Sequence, residues 1–125
     1  MTAPVNLNEL EALARERLPA MVYHYYAGGA NDELTIDDNR RAWDAIRLRP
    51  RVLVDVSNTD CSTTVLGRRV SMPVLTAPCG FNGLAHAEGE RAVARAAAGA
   101  GVIQVVSTVA TTSLEDVAAA APSGS

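Results

Sequence analysis

Cysteine is scarce. Cys61 and Cys79 are the only two, too few for a disulfide framework, and no Cys-x-x-Cys pair occurs. With two histidines, they form no spacing that resembles a closed metal site. No apolar run reaches the roughly eighteen residues of a membrane span. The N-terminus lacks the basic-then-apolar layout of a signal peptide. A reducing, cytoplasmic setting is the expectation. Positive charge is not in excess: 11 Lys and Arg against 14 Asp and Glu give a formal charge of -3. That argues against a nucleic-acid groove, which needs clustered basic residues. Arg47, Arg49 and Arg51 alternate with Leu48 and Val52, as the wet face of an extended segment would. There is neither a Gly-x-Gly-x-x-Gly nor a Gly-Lys-Ser/Thr, so the Rossmann and P-loop readings lose their main support.

What is present is a patterned stretch over residues 72–113. Its order is a buried strand (74–77), a glycine-bearing loop (79–85), an alanine-rich helix from Glu88 to about Ala98, and a second buried strand (102–106). This is the repeating unit of a parallel sheet with covered faces. Ligands of such folds sit at the carboxyl ends of strands, here residues 77–80 and 106–108. With 125 residues, 48% of them hydrophobic, the chain can bury a core. It supplies only about two strand–helix units, whereas a closed eightfold barrel takes about 250 residues.

The preceding residues read as helices and then extended chain. Asn6 and Glu9 form a capping box. Leu10, Leu13, Ala14 and Leu18 follow at helical spacing. Pro19 opens a second helix that ends at Gly28-Gly29. A third is expected from Asn31 or Asp32 past Trp43, with Leu34, Trp43 and Ile46 as its buried contacts. Beyond it the period shortens: Leu48, Val52, Val54 and Val56 read as extended. Residues 63–70 read as two short strands joined at Leu66-Gly67. Further on, Gly99 and Gly101 are the expected stop of the alanine-rich helix. Glu88 and Glu90 stand near its positive end. Thr112-Ser113-Leu114-Glu115 is read as a second capping box. Three segments result: 1–46 helical, 47–71 extended with a hairpin, and 72–125 as two β/α units.

Several residues can carry chemistry. The loop at Gly80 and Gly83 offers backbone donors and acceptors free of bulky side chains, suited to the edge of a flat heterocycle; a tight turn explains it equally well. The Ser107 hydroxyl can donate to a ring atom or satisfy nearby backbone. Gln104 needs a partner if buried. Tyr23 and Tyr26 share a helix face while Tyr25 points elsewhere; packing is the simpler account of all three. Cys79 reads as a small buried residue. His86 reads as ordering its loop, and His24 as a surface residue.

Longer motifs add a resemblance. Leu18-Pro19-x-Met21-Val22-Tyr23-x-Tyr25-Tyr26-Ala27-x-Gly29-Ala30-x-Asp32-Glu33, then Asn39-Arg40 and Arg49-Pro50-Arg51-x-Leu53-x-Asp55-Val56, stand in fixed order. Val65-Leu66-Gly67, Met72-Pro73, Ala77-Pro78-x-Gly80, Leu84-Ala85-His86-x-Glu88-Gly89-Glu90 and Ser107-Thr108-x-Ala110-Thr111-x-Ser113-Leu114-Glu115 continue it. In order and spacing these resemble the N-terminal part of the FMN-dependent 2-hydroxy-acid oxidases and dehydrogenases. That family includes glycolate and lactate oxidases and mandelate dehydrogenase.

The resemblance implies an α/β fold of the TIM (β/α)8 barrel family, here an N-terminal helical cap, a hairpin and about two β/α units. It implies FMN as cofactor and a small 2-hydroxy acid as substrate, oxidised to a 2-oxo acid. It assigns Tyr25 to the substrate carboxylate. It assigns Ala77, Pro78, Cys79 and Gly80 to the flavin through backbone contacts, and Ser107 to the isoalloxazine. It implies a homo-oligomer, a tetramer in that family, with no membrane or nucleic-acid partner. Gly80 stands where glycolate oxidases usually carry alanine and resembles the mandelate dehydrogenase branch. Val109 stands where they carry tryptophan, and the smaller residue implies space for a bulkier substrate, including an aryl group. The family's catalytic histidine, two substrate-binding arginines and flavin-contacting lysine are expected beyond Ser125, so residues 1–125 alone are expected to be inactive. The competing accounts are a non-catalytic folding or assembly module and another FMN barrel, an isomerase or lyase.

Overall fold

In a computed structural model, residues 4–121 are described. The chain divides into two compact units, one ending at Asp55 and one starting at Val56.

The first unit is helical. Helix α1 spans Leu7–Arg17. The Asn6 side chain accepts from the backbone N–H groups of Asn8 (3.0 Å) and Glu9 (3.2 Å). The return arm of this cap differs from the standard box: Glu9 accepts from Val5 N–H at 2.8 Å and from the Asn6 side-chain amide at 2.9 Å. Helix α2 spans Ala20–Ala27, with Pro19 at its N-cap and Gly28 at its C-cap. Helix α3 spans Leu34–Ala45, later than the expected start at Asn31 or Asp32. The delay has a backbone cause. Asn31 (φ 50°) and Glu33 (φ 58°) are both left-handed, and the Glu33 carboxylate is turned back to accept from Gly29 N–H at 3.0 Å.

The expected burial on α3 is also corrected. Leu34, Trp43 and Ile46 are 68%, 76% and 57% exposed. The half-buried residue of this helix is Ile36, which lines a cavity of about 340 Å³ with Leu18, Tyr23 and Tyr26. Glu11 joins the three helices: it accepts from the Tyr23 hydroxyl at 3.3 Å and pairs with Arg40 at 3.5 Å. Both groups of that ion pair are well exposed, so it contributes little, about 0–1 kcal/mol. Residues 46–55 carry no regular structure and their apolar side chains are exposed.

The second unit opens with the expected hairpin, β1 (Thr63–Val65) paired antiparallel with β2 (Arg68–Val70). Leu66 and Gly67 make the turn, both at positive φ, as a two-residue type I′ connection requires. Ser71 then donates from its N–H to Gly101 O at 2.8 Å and from its hydroxyl to Ala100 O. The hairpin is thereby tied to the amino end of segment 102–106, the end away from the strand-end loops.

The two expected parallel strands meet at one bridge, Thr76 with Gln104. Its bonds are Thr76 N–H to Ile103 O and Val105 N–H to Thr76 O, both 3.2 Å. The sheet is partial and unclosed, and neither segment forms a full strand. The loop after 77 contains a one-turn helix, α4 (Asn82–Ala85). Helix α5 spans Gly89–Ala100 and α6 spans Leu114–Ala120. The buried apolar residues of this unit are Val70, Ala94, Ala97 and Val117. Ala94 and Ala97 lie one turn apart on α5 and let it pack closely at little cost in side-chain entropy.

Gly99 lies inside α5, and Gly101 alone is its left-handed cap, at φ 66°. Gly101 N–H reaches Ala98 O, and Val102 N–H reaches Ala97 O, both at 3.0 Å, a glycine helix stop. A Cβ at Gly99 meets open space, whereas one at Gly101 comes within 3.1 Å of Ser71. Gly99→Ala is therefore expected to stabilise by about 0.5–1 kcal/mol. Gly101→Ala is expected to destabilise by about 1 kcal/mol or more. Urea-unfolding midpoints of the two variants check the opposite signs.

Candidate active-site wall at the strand ends

The Thr76–Gln104 bridge sets the register of everything after it. Residues 77–80 and 105–108 leave the bridge side by side, and Phe81 N–H donates to Val109 O at 3.1 Å where they end. Cys79 and Gly80 therefore lie in the loop adjoining Ser107. Ala77, Pro78 and Cys79 are exposed; Gly80 and Ser107 are half-buried. Cys79 corrects the expectation of a small buried residue: its position beyond the bridge leaves it in solvent, with only a 3.9 Å contact from Sγ to Gly80 O. Ser107 Oγ accepts from Val109 N–H at 3.2 Å. That turn uses a lone pair of the hydroxyl and leaves its proton to be donated. A cavity of about 330 Å³ adjoins Ser107, lined also by Val106, Thr108, Ala110, Thr112, Ser113 and Leu114.

The two loops are fixed from behind by Glu90. Its residue is 1% exposed, and it is the one buried charged residue among those described. Oε1 accepts from Asn82 N–H (3.2 Å) and Thr111 N–H (2.9 Å). Oε2 accepts from the hydroxyls of Thr111 (2.8 Å) and Thr112 (2.7 Å). Thr111 Oγ1 in turn accepts from Gly83 N–H at 2.9 Å. One carboxylate thus receives donors from both strand-end loops. Gly83 is required by this approach: a Cβ there falls 2.6 Å from Thr111 Oγ1.

Thr112 corrects the second capping box. Its hydroxyl is taken by Glu90, so the cap of α6 shifts one residue to Ser113, which accepts from Asp116 N–H at 3.2 Å. The expectation that Glu90 merely stands near a helix terminus missed its role. The available signal was a glutamate one helical turn before the buried Ala94, on the core face of α5. His86 orders its loop as expected: Nδ1 accepts from Glu88 N–H at 3.2 Å. Gln104 donates weakly to Glu90 O at 3.4 Å. Gln104 Oε1 and Thr76 Oγ1 are buried without a partner among the described residues.

Burial pushes the Glu90 carboxyl up. The hydrogen bonds from Thr111 N–H, the Thr112 hydroxyl and the Thr111 hydroxyl outweigh it and hold the group at about 2.

A family model described as FMN-dependent dehydrogenase matches residues 14–125. The chain belongs to the FMN-dependent dehydrogenase family. It is 51% identical over 117 residues to a glycolate oxidase of Spinacia oleracea, covering 94% of this chain and 32% of the relative. Its fold is similar to that of an active mutant of (S)-mandelate dehydrogenase, with TM-score 0.86, 44% identity, and coverage of 94% of this chain and 33% of that one. It is also similar to a mandelate oxidase, with TM-score 0.88, 38% identity, and coverage of 94% and 34%. The chain thus spans about a third of the length of the curated relatives it matches.

Within this family member, the structure brings Ala77, Pro78, Cys79, Gly80 and Ser107 together in the second unit. Tyr25 belongs to the helical unit, where it is 50% exposed and meets Tyr26 edge-on, with ring centroids 5.1 Å apart at 76°. Tyr23 and Tyr26 are the half-buried pair, as their shared helix face predicts. His24 is exposed, also as expected. No described helix is long and apolar enough to cross a membrane.

The pH dependence of Glu90 has a definite sign. Its folded pKa lies below the ordinary 4.5, so its stabilisation is fully present above about pH 4.5 and is lost as pH falls toward about 2. The gap is worth roughly 3 kcal/mol. Unfolding free energy measured from pH 5 downward is expected to decline, and Glu90→Gln is expected to flatten that decline while lowering stability at neutral pH. An equally steep decline in Glu90→Gln counts against this assignment.

Proposed function

We propose that the protein containing this chain is an FMN-dependent oxidoreductase that converts an (S)-2-hydroxy acid to the corresponding 2-oxo acid. The observation that carries the reading is the parallel bridge that sets Gly80 and Ser107 in adjoining loops, in a chain of the FMN-dependent dehydrogenase family.

The residues suit a flat, acceptor-rich ring. Ala77, Pro78, Cys79 and Gly80 present small side chains, so backbone groups can approach the ring plane. The Ser107 hydroxyl, with its oxygen engaged by Val109 N–H, donates to a ring oxygen or nitrogen. Bound FMN supplies a two-electron acceptor, while the protein positions and polarises the reactants. Tyr25 holds the substrate carboxylate by donating from its phenol. Its edge-on contact with Tyr26 restricts the ring and lowers the cost of ordering it. Neither histidine is placed as a base among the described residues: His86 Nδ1 is bound to the backbone of Glu88 and His24 is exposed. This chain supplies binding and alignment.

The finer reading favours a bulky, aryl-bearing acid of the mandelate type. Gly80 and Val109 keep the wall low where larger residues would narrow it, and Val109 is 46% exposed.

Anaerobic addition of mandelate, lactate or glycolate to the complete protein is expected to bleach its visible flavin absorbance with matching formation of a 2-oxo acid. Retained absorbance with all three sinks the reading. Tyr25→Phe is expected to raise KM about tenfold or more, the loss of one hydrogen bond to a charged group, with FMN affinity unchanged. An unaltered KM would remove Tyr25 from the substrate site.

A further inference from the structure

The redox reading leaves Glu90 without a part, yet it is the most completely satisfied side chain in the second unit. It sits in the first turn of α5, behind the strand ends. Its four donors come from two separate stretches of chain. Asn82 opens α4, directly after the loop that holds Cys79 and Gly80. Thr111 and Thr112 close the loop that begins at Ser107. A second path runs from Gly83 N–H through the Thr111 hydroxyl to Oε2. The loops are also joined directly by Phe81 N–H to Val109 O. That bond lies one residue from Asn82 and two from Thr111, so the carboxylate clamps both sides of it.

We infer that Glu90 is a positioning residue for the flavin: its carboxylate locks the loop carrying Gly80 to the loop carrying Ser107 and so fixes the spacing of the groups that meet the ring. This rests on the FMN reading above for the identity of the ligand. The clamp itself rests on the hydrogen bonds alone. Two chemical requirements, acceptor count and reach, point to a glutamate here. All four partners donate, so the acceptor must supply lone pairs on two oxygens and no proton. A glutamine offers one acceptor oxygen and turns an NH₂ toward the Thr111 and Thr112 hydroxyls, or toward the two amides if flipped. An aspartate keeps both oxygens but is one methylene short of the loops.

The test uses the complete protein with Glu90→Gln, Glu90→Asp and Thr112→Val, and a control, Val117→Ala. Val117 is buried on α6 and outside the clamp, so its loss reports general destabilisation. Two readouts are taken. Amide hydrogen exchange without FMN is expected to show lost protection in Glu90→Gln at Asn82 and Thr111, spreading to both loops. FMN titration is expected to show about tenfold or more weaker binding in Glu90→Gln, with Thr112→Val intermediate. The control should shift FMN affinity less than about twofold at a comparable loss of stability. Should Glu90→Gln not fold, Glu90→Asp and Thr112→Val carry the same comparison.

Loss of protection in both loops together with weakened FMN binding upholds the assignment. Protection lost only within α5, or FMN binding weakened no more than in the control, overturns it while leaving the FMN reading intact. A wild-type protein that takes up no FMN overturns the FMN reading, and the positioning role with it.

Discussion

A single buried carboxylate governs the second unit. Glu90 would be costly to bury alone, because removing a charge from water is opposed by its lost hydration. Four donors reverse that cost, and they come from both strand-end loops. The loops at the strand ends carry many small residues, and their larger apolar side chains, Phe81, Leu84 and Val109, are exposed and not packed in a core. Their conformation is set by where the carboxylate oxygens are. Those oxygens are set in turn by α5, which lies close because Ala94 and Ala97 have nothing bulky to keep it away. The order of dependence runs from small side chains to close helix, from close helix to buried acid, and from buried acid to loop spacing.

The same logic explains the glycines that matter. Gly83 makes room for Thr111, and Gly101 turns the chain from α5 into the segment that pairs with Thr76. Each serves a close approach that a Cβ would obstruct. The helical unit is organised more loosely. Glu11 joins its three helices through exposed contacts of low energy, and most of its large apolar residues are exposed. Its cavity between α1, α2 and α3 is bounded by Tyr23 and Tyr26, which leaves Tyr25 on the outer side of the same helix.

Much of this was legible in the residues. Local chemistry set both ends of α2, the cap of α1 and the hairpin turn, because each depends on neighbours a few positions away. Residues 77–80 were legible as the end of an apolar run because Pro78 and Gly80 punctuate the chain there, and Ser107 because it closes the apolar run 102–106. The misreadings share a cause. Thr112 and Ser113 are equally good caps in sequence, and only a distant acid taking the Thr112 hydroxyl decides between them. Leu34 and Trp43 are apolar residues of a helix, but apolar character does not say whether anything covers them, and both are exposed. The start of α3 moved because Glu33 turned its carboxylate back to Gly29, a competition between side chain and helix that propensity does not weigh.

By itself the sequence determined the hairpin, the longer helices to within a few residues, and membership of a flavin-dependent family, because these reside in short-range patterns and in the order of motifs. Tertiary structure decided that Cys79 and Gly80 adjoin Ser107, that Thr112 serves Glu90 and not α6, and that one acid binds two loops. Those facts depend on contacts between residues some twenty positions apart, such as Glu90 with Thr111 and Thr112. A donor finds its acceptor only after the backbone between them has folded, and no local preference of either residue names the other.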